Sequence, residues 1–358
     1  SFPTRRSSDL TPGQMLYLGT TDGQLTDTAP TGSAFVTPIA AVKVVDATQG
    51  TIVVDIVTSQ LSAEQSAYAG FSVYDLATLA WTDTSPDRTL TITPVGTAFS
   101  FYQGGQKYES GVDAIQIDDT EGLFIIYYQL GVLTALANPS VSQINSIMEN
   151  NPTVAYVYWN ATDNKAEYVL GEMHKIGMSP TVHSYLHNVL KCRYISGLAP
   201  NTITADGSGD LDIHAQFGVD AGYIADEDVL VQTGAVSPTV GMPIFYLSGT
   251  SASPVLRGTT NAGFSILTTG TGRMAYNTIS GGNWILSELT TGDFACCHVF
   301  TSTENNINKR VFALVGQVSY STIGLAQAGA VNEINNLAMY GVSVNEMKSI
   351  ATFIFQTS

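Results

Sequence analysis

The sequence predicts a mainly β protein: two β-sandwich-like domains joined by a short helix-containing segment, with two short helices at the C-terminal end. Three observations predict it. Charged residues make up only 12% of the 358, about half the ~25% usual in soluble chains, and Thr, Ser, Asn, Gln and Gly supply the missing polarity. Apolar residues recur with period two in short runs separated by Gly, Asn and Asp, the pattern of strands and turns. Three cysteines, two of them adjacent (Cys296 and Cys297), cannot frame a chain of this length, so buried apolar area must hold it together.

The first ten residues stand apart. SFPTRRSSDL, Ser1 to Leu10, is what TCT TTC CCT ACA CGA CGC TCT TCC GAT CTN would encode, which resembles a short-read sequencing adapter. Residues 1–10 are therefore expected to be an adapter artefact, with the natural N-terminus missing. Without Arg5, Arg6 and Asp9 the formal charge of −16 becomes −17, from 12 basic and 29 acidic residues.

An N-terminal β-sandwich domain is expected over 11–138. Ile52, Val54 and Ile56 alternate with Val53, Asp55 and Val57, as in a strand covered on both faces. Phe99 and Phe101 run into Gly104-Gly105, a two-residue hairpin signal, and Lys107-Tyr108 runs out. Ile115 and Ile117 lead to the polar turn Asp118 to Gly122. The β-branched and aromatic run that follows reads as a buried strand. Gly122 to Ala137 is the longest uncharged apolar stretch and falls short of the ~20 residues that a membrane helix needs, so no membrane insertion is expected.

A connecting segment is expected over 139–200. Ser140 to Glu149 forms a short helix that Asn151-Pro152 ends, and strands follow over 154–159 and 166–170. A helix over 180–190 has Ser179 as N-cap and Pro180 at its first position. Val182, Tyr185, Leu186, Val189 and Leu190 make its apolar stripe. The C-terminal β domain, 201–358, is rich in Gly, Thr, Ser and Asp and ends in two helices. In the second, Ser343 and Glu346 make a capping box, with Met347, Ile350, Ala351 and Ile354 on the buried face. No repeat of 20 to 50 residues is present, which argues against propellers and solenoids.

A chain this acidic, with no Lys/Arg run, offers no electrostatic footprint for nucleic acid. The sharpest chemical feature is histidine. Four of the five histidines, His174, His183, His187 and His214, fall within 41 residues. His183 and His187 are four apart and share a helix face, as two metal ligands would. Ser184 occupies the position where a zinc protease carries its general base. At about 100° per residue the pair lies on the flank of the apolar stripe, facing a second layer, a loop or a neighbouring subunit. The residues fit either hydrogen-bonded structural histidines or a metal site made by His174, His183 and His187 with Glu172 or another chain. No other cofactor is expected.

Acidic residues crowd Asp206 to Asp228. Carboxylates in Gly-rich turns suit Ca²⁺, but the spacing matches no helix-loop-helix calcium loop, and turn chemistry also explains them. Nucleophile arrangements are weak. Gly249 to Ser253 lacks the final Gly of a hydrolase elbow, and Cys296-Cys297-His298 reads as a buried strand whose neighbours face opposite ways. No catalytic residue is assigned, and the protein is expected not to be an enzyme.

Three stretches carry a family resemblance. The first is Phe99 to Tyr128, within which SFYQGGQKYES precedes VDAIQIDDTEGLFIIYY. The second is Val157 to Leu198, with VYWN, LGEMHKIGM and HSYLHNVLKCRYISGL. The third is the C-terminal part, with IADEDV, MPIFYL and LVGQVSYSTIGLAQAGAVNEINNL, ending in IFQTS. In this order they resemble uncharacterised virion structural proteins of environmental tailed phages, of the tail-fibre or baseplate type. Met173 and Lys175 depart from the related pattern, which reads Arg before the histidine and Gly after it. The resemblance implies a non-enzymatic virion appendage protein, assembled in the bacterial host cytoplasm, homotrimeric and in contact with other tail components. It also implies adhesion to a host-surface receptor or glycan, for which Trp284, Tyr276 and Tyr246 are the receptor-facing aromatics to examine. Two alternatives stay open: a secreted bacterial β-sandwich adhesin or carbohydrate-binding module, and a polysaccharide-degrading tailspike.

Overall fold

The computed structural model describes residues 15–18, 25–26, 38–44, 51–53, 68–73, 76–84, 88–203, 215–261 and 265–357. The protein is mainly β, with half its residues in strands and three short α-helices among those described. Residues 1–10, Val54 to Val57, Asp206, Asp210, Asp212 and His214 lie outside the described residues.

Two compact units divide at Ala67/Tyr68, with Gly104–Gln106 grouped with the first. Among its described residues the first unit holds an antiparallel sheet. Its strands are β1 (Met15–Leu18), β2 (Leu25–Thr26), β3 (Pro38–Val44) and β4 (Thr51–Val53), in the order β2-β1-β3-β4.

The second unit contains both boundaries expected at 138 and 200. It begins with β5 (Gly70–Phe71), β6 (Ala77–Thr82), β7 (Thr89–Pro94), β8 (Phe99–Gln103), β9 (Gln106–Ser110) and β10 (Asp113–Gln116). These form two small sheets, β5-β8-β9 and β10-β7-β6. Gly104 and Gly105, between β8 and β9, have φ of 59° and 79°, the left-handed values that a two-residue hairpin turn requires.

Next come β11 (Gly122–Gln129), β12 (Val132–Ala137), α1 (Val141–Asn150), β13 (Thr153–Asn160) and β14 (Lys165–Gly171). Ser140 caps α1 through a full capping box with Gln143. The sheet β12-β11-β13-β14 is covered on both faces. Phe124, Ile126, Tyr128, Val157 and Trp159 enter one core cluster, and Ile125, Tyr127, Tyr156 and Tyr158 enter another. Double burial explains why β11 and β13 read as almost continuous apolar runs. The second of these clusters also takes Phe245, Phe300, Phe312 and Met347, so the segments expected as separate domains share a core.

A short helix α2 (Pro180–Tyr185) passes into a π-helical turn (Leu186–Leu190). β15 (Arg193–Gly197), β16 (Pro200–Asn201), β17 (Gly218–Val219), β18 (Gly222–Asp226) and β19 (Val229–Thr233) follow, with β15-β18-β19 and β16-β17 as the pairings. The largest sheet is curled like half a barrel. It is built from β20 (Pro243–Thr250), β21 (Ser253–Thr260), β22 (Thr268–Thr269), β23 (Arg273–Ser280), β24 (Asn283–Glu288), β25 (Phe294–Ser302), β26 (Val311–Val315) and β27 (Met347–Gln356), with α3 (Ile323–Asn336) before the last strand. Its order is β22-β23-β24-β20-β26-β25-β27, and β21 pairs with β20.

Two expectations are corrected. The second C-terminal helix is instead β27, paired with β25 from Phe294↔Gln356 to Ser302↔Met347. Its Ile350, Thr352, Phe353, Ile354 and Phe355 are β-branched or aromatic, and a full-length partner strand outweighs a helical spacing. The apolar stripe of the 180–190 helix is turned outward. Val182, Tyr185, Val189 and Leu190 are exposed, whereas His183 and His187 are buried.

Candidate metal centre

Four segments, distant in sequence, bring seven buried titratable side chains together. Glu172 and His174 follow β14. The Glu172 amide donates to Val154 O (2.9 Å), and the Phe71 amide donates to His174 O (2.7 Å). This close approach depends on Gly70, φ 145°, where a Cβ would stand 2.9 Å from the Ile176 nitrogen. His183 and His187 come from α2 and its π turn. Ser179 Oγ accepts from the Val182 amide, Pro180 occupies the first turn, and the wider turn that follows is of the kind often found at functional sites.

Asp226 and Glu227 come from the β18–β19 hairpin, where Asp226 pairs with Val229. Glu227 has φ 49°, a conformation costly for a residue other than Gly, Asn or Asp and one that tends to persist at functional sites. Glu346 ends the 3₁₀ turn Val344–Glu346. Ser343 makes no side-chain cap there, and the Glu346 carboxylate, which a capping box would direct to the backbone, lies 3.1 Å from His187 Nδ1.

The ion pairs of the four carboxylates run to histidine. His183 Nε2 is 3.0 Å from Glu227 Oε2, and His187 Nδ1 is 3.3 Å from Glu227 Oε1. His174 Nε2 is 3.3 Å from Glu172 Oε2 and 3.6 Å from Asp226 Oδ2. His174 Nδ1 is 2.9 Å from Asp228 Oδ1, which fits a ring N–H donated to that carboxylate. Cys192 completes the surroundings, its thiol donating to Asp226 Oδ1 (3.3 Å).

The polar atoms are close but poorly aligned for hydrogen bonds. Among the described residues, nine of the fourteen buried side-chain N and O atoms without a hydrogen-bond partner belong to this cluster. They are both oxygens of Glu172, Glu227 and Glu346, with His174 Nε2, His183 Nε2 and His187 Nδ1. Buried orphans of this density are rare in native proteins and call for an ion or another partner.

Electrostatics agrees with the geometry. Burial, with Glu346 nearby, pushes the Glu172 and Asp226 carboxyls up. For Glu227 and Glu346 burial also pushes upward, but His174 and His183 around the former, and Glu172 and His187 around the latter, outweigh it and hold each near 2. Burial pushes His174 and His187 down, and the carboxylates around them reverse this, raising His187 to about 9. Burial and Asp226 keep Cys192 protonated.

Three or more ligand atoms lie within 4.8 Å of one another in four overlapping groups: Glu172/His174/Asp226, Glu172/His187/Glu346, His174/His183/Glu227 and Cys192/Asp226/Glu346. With metal bonds of ~2.1 Å, adjacent ligands stand roughly 3.0 Å apart in an octahedron and 3.4 Å apart in a tetrahedron. The 3.0 to 3.6 Å separations between ring nitrogens and carboxylate oxygens lie close to these values. A pocket of about 240 Å³ bordered by Leu79, Thr303, Asn305 and Arg310 reaches His174 and Asp226.

His174, His183 and His187, singled out from sequence, are thus brought together. Asp226 and Glu227 belonged to the acidic turn read as a calcium candidate, and they face imidazoles. Asp220 is exposed and accepts from Asn201. Glu346 was hidden behind its capping-box spacing. Of the aromatics, Trp284 is buried, only 8% exposed, while Tyr246 and Tyr276 are half-buried against the core. On β25, Cys296 and His298 face Glu333 of α3, and Cys297 enters a different core cluster. No family model, curated protein or solved structure matches the chain.

Proposed function

We propose that this protein is a non-enzymatic structural component of a tailed-phage virion appendage whose β scaffold is stapled by divalent metal bound at the buried histidine–carboxylate cluster. One observation carries the metal reading: four carboxylates and three imidazoles buried together, with nine orphaned polar atoms. Mixed imidazole and carboxylate donors suit first-row cations such as Zn²⁺, Mn²⁺ or Fe²⁺ rather than Ca²⁺, which takes oxygen ligands. Burial supports a structural role. Glu346 is 0% exposed, Glu172 1% and His187 2%, and the ligands tie residue 172 to residue 346 across four segments. The appendage reading is supported by the low charge, the short strands and the motif order described above. Assembly as a homotrimer and attachment to other tail parts belong to the same reading.

The test is elemental analysis and melting of the purified full chain before and after chelation. Stoichiometric metal with a lower Tm on removal is expected. A metal-free protein whose Tm ignores added Zn²⁺ and Mn²⁺ would overturn the reading. Light scattering at 38 kDa across micromolar concentrations would remove the trimer, and neighbouring reading frames that encode secretion rather than tail proteins would remove the appendage. A tailspike reading draws on the pocket that reaches His174 and Asp226: polysaccharide cleavage by loaded protein, lost in Asp226→Asn, would establish that reading instead.

A further inference from the structure

We propose that the cluster holds two divalent first-row cations, one with His174 Nε2, Asp226 and Glu172 and the other with His187 Nδ1, Glu346 and Glu172, so that Glu172 bridges the pair. This inference rests on the metal-binding reading above and specifies its stoichiometry and ligands. Glu172 belongs to both ligand groups, each of which otherwise has its own histidine and its own carboxylate, and both of its oxygens are orphaned.

The histidine tautomers support the division. His174 Nδ1 donates to Asp228, leaving the Nε2 lone pair directed at Glu172 and Asp226. A carboxylate behind a ligating imidazole is a common supporting contact in metal sites. At the second position Glu227 Oε1, 3.3 Å from His187 Nδ1, is a further donor, while its Oε2 faces His183.

Charge selects two cations over one. Glu172, Asp226, Glu227 and Glu346 carry four negative charges when ionised, and neutral imidazoles add none. Two divalent ions cancel that charge outright, whereas one leaves two buried carboxylates that need protons or charged imidazoles to offset them. The Cys192 thiol, bonded to Asp226, stays in the supporting shell. The two ions are therefore expected to sit in a nitrogen and oxygen environment, which Mn²⁺ and Zn²⁺ both accept.

The experiment is native mass spectrometry and elemental analysis of the full chain loaded with Mn²⁺ or Zn²⁺, with electron paramagnetic resonance of the Mn²⁺ form. Two ions per chain and a spin-coupled manganese spectrum are expected. A single ion with an isolated six-line spectrum overturns the bridged pair and leaves the metal-binding reading standing; no bound ion overturns both. Asp226→Asn and Glu346→Gln should each lower the count from two to one. If a variant does not fold, the stoichiometry and coupling of the unaltered protein still decide.

Discussion

Two buried groups of titratable side chains lie in the second unit, and both meet the distance requirement for a three-ligand metal site. At Cys296, His298 and Glu333 the polar atoms are largely used by the protein. His298 Nδ1 is 2.9 Å from Thr352 Oγ1, Glu333 Oε1 accepts from the Gln317 amide, and Glu333 Oε2 accepts from the Tyr320 hydroxyl at 2.9 Å. One carboxylate there faces one imidazole, and His298 Nε2 is the one orphan of the pair. The histidine–carboxylate cluster has four carboxylates and nine orphans. Proximity of ligand types therefore does not distinguish the two groups; the number of orphaned polar atoms and the excess of carboxylates over imidazoles do.

The largest expected effect is metal removal. A cation at a thousand times its Kd stabilises the folded state by about 4 kcal/mol, which in a folded unit of this size is roughly 10 °C in Tm. Chelation should produce a shift of that order, measured by calorimetry, and Glu172→Ala should reproduce most of it while removing the response to added Zn²⁺. A chelator-insensitive Tm would make the two groups equivalent.

The next effect concerns pH and has opposite signs in the two states. Without metal, His187 is raised from 6.5 to about 9. The folded state then binds the proton more tightly than the unfolded chain, so the associated stability is fully present below about 6.5 and is lost as pH rises through 9. The loss is on the order of 3 kcal/mol. Loaded protein should instead gain metal affinity over the same range, because ligating imidazoles must first lose their protons. Titration calorimetry in buffers of different ionisation enthalpy should register protons released as Mn²⁺ binds.

How much of this was legible in the sequence depended on how local the signal was. Ser140, Pro152 and Ser179 mark helix boundaries through neighbouring chemistry, and α1 and the start of α2 lie where these signals put them. His183 and His187 were readable as a pair because a helix brings i and i+4 together. Glu346 was not, since three residues after Ser343 it fits a capping box equally well, and only contact with His187 decides its role. The same holds for Met347 to Ile354, whose residues satisfy helical spacing and β propensity at once. Pairing with β25, more than 40 residues earlier, chose the strand. The acidic turn at 226–228 announced carboxylates but not the imidazoles they face.

A middle-sized effect sharpens the comparison from the other side. His298→Asn should cost about 1 to 3 kcal/mol, the usual cost of breaking a buried polar contact. Glu333 keeps its Gln317 and Tyr320 donors, which holds the cost below that of an isolated buried charge. Metal content should not change. A drop in bound metal in this variant would transfer part of the site to β25 and α3.

The smallest effect tests which face of α2 and its π turn is buried. Had the apolar stripe been inside, replacing Val182 and Val189 with Ser would each cost a few kcal/mol, as core truncations do. Both are exposed in the structure, at 47% and 62%, so each change should alter stability by no more than about 0.5 kcal/mol, measured by denaturant melts of the loaded protein. The reason lies in competing demands on one short segment. Two valines turned to water sacrifice a modest hydrophobic gain, whereas two histidines turned to water would leave Glu346 buried without its imidazole partner and Glu227 with His174 alone, a larger cost. If the valine variants unfold, that balance has been drawn the wrong way round, and the segment packs as its apolar spacing first suggested.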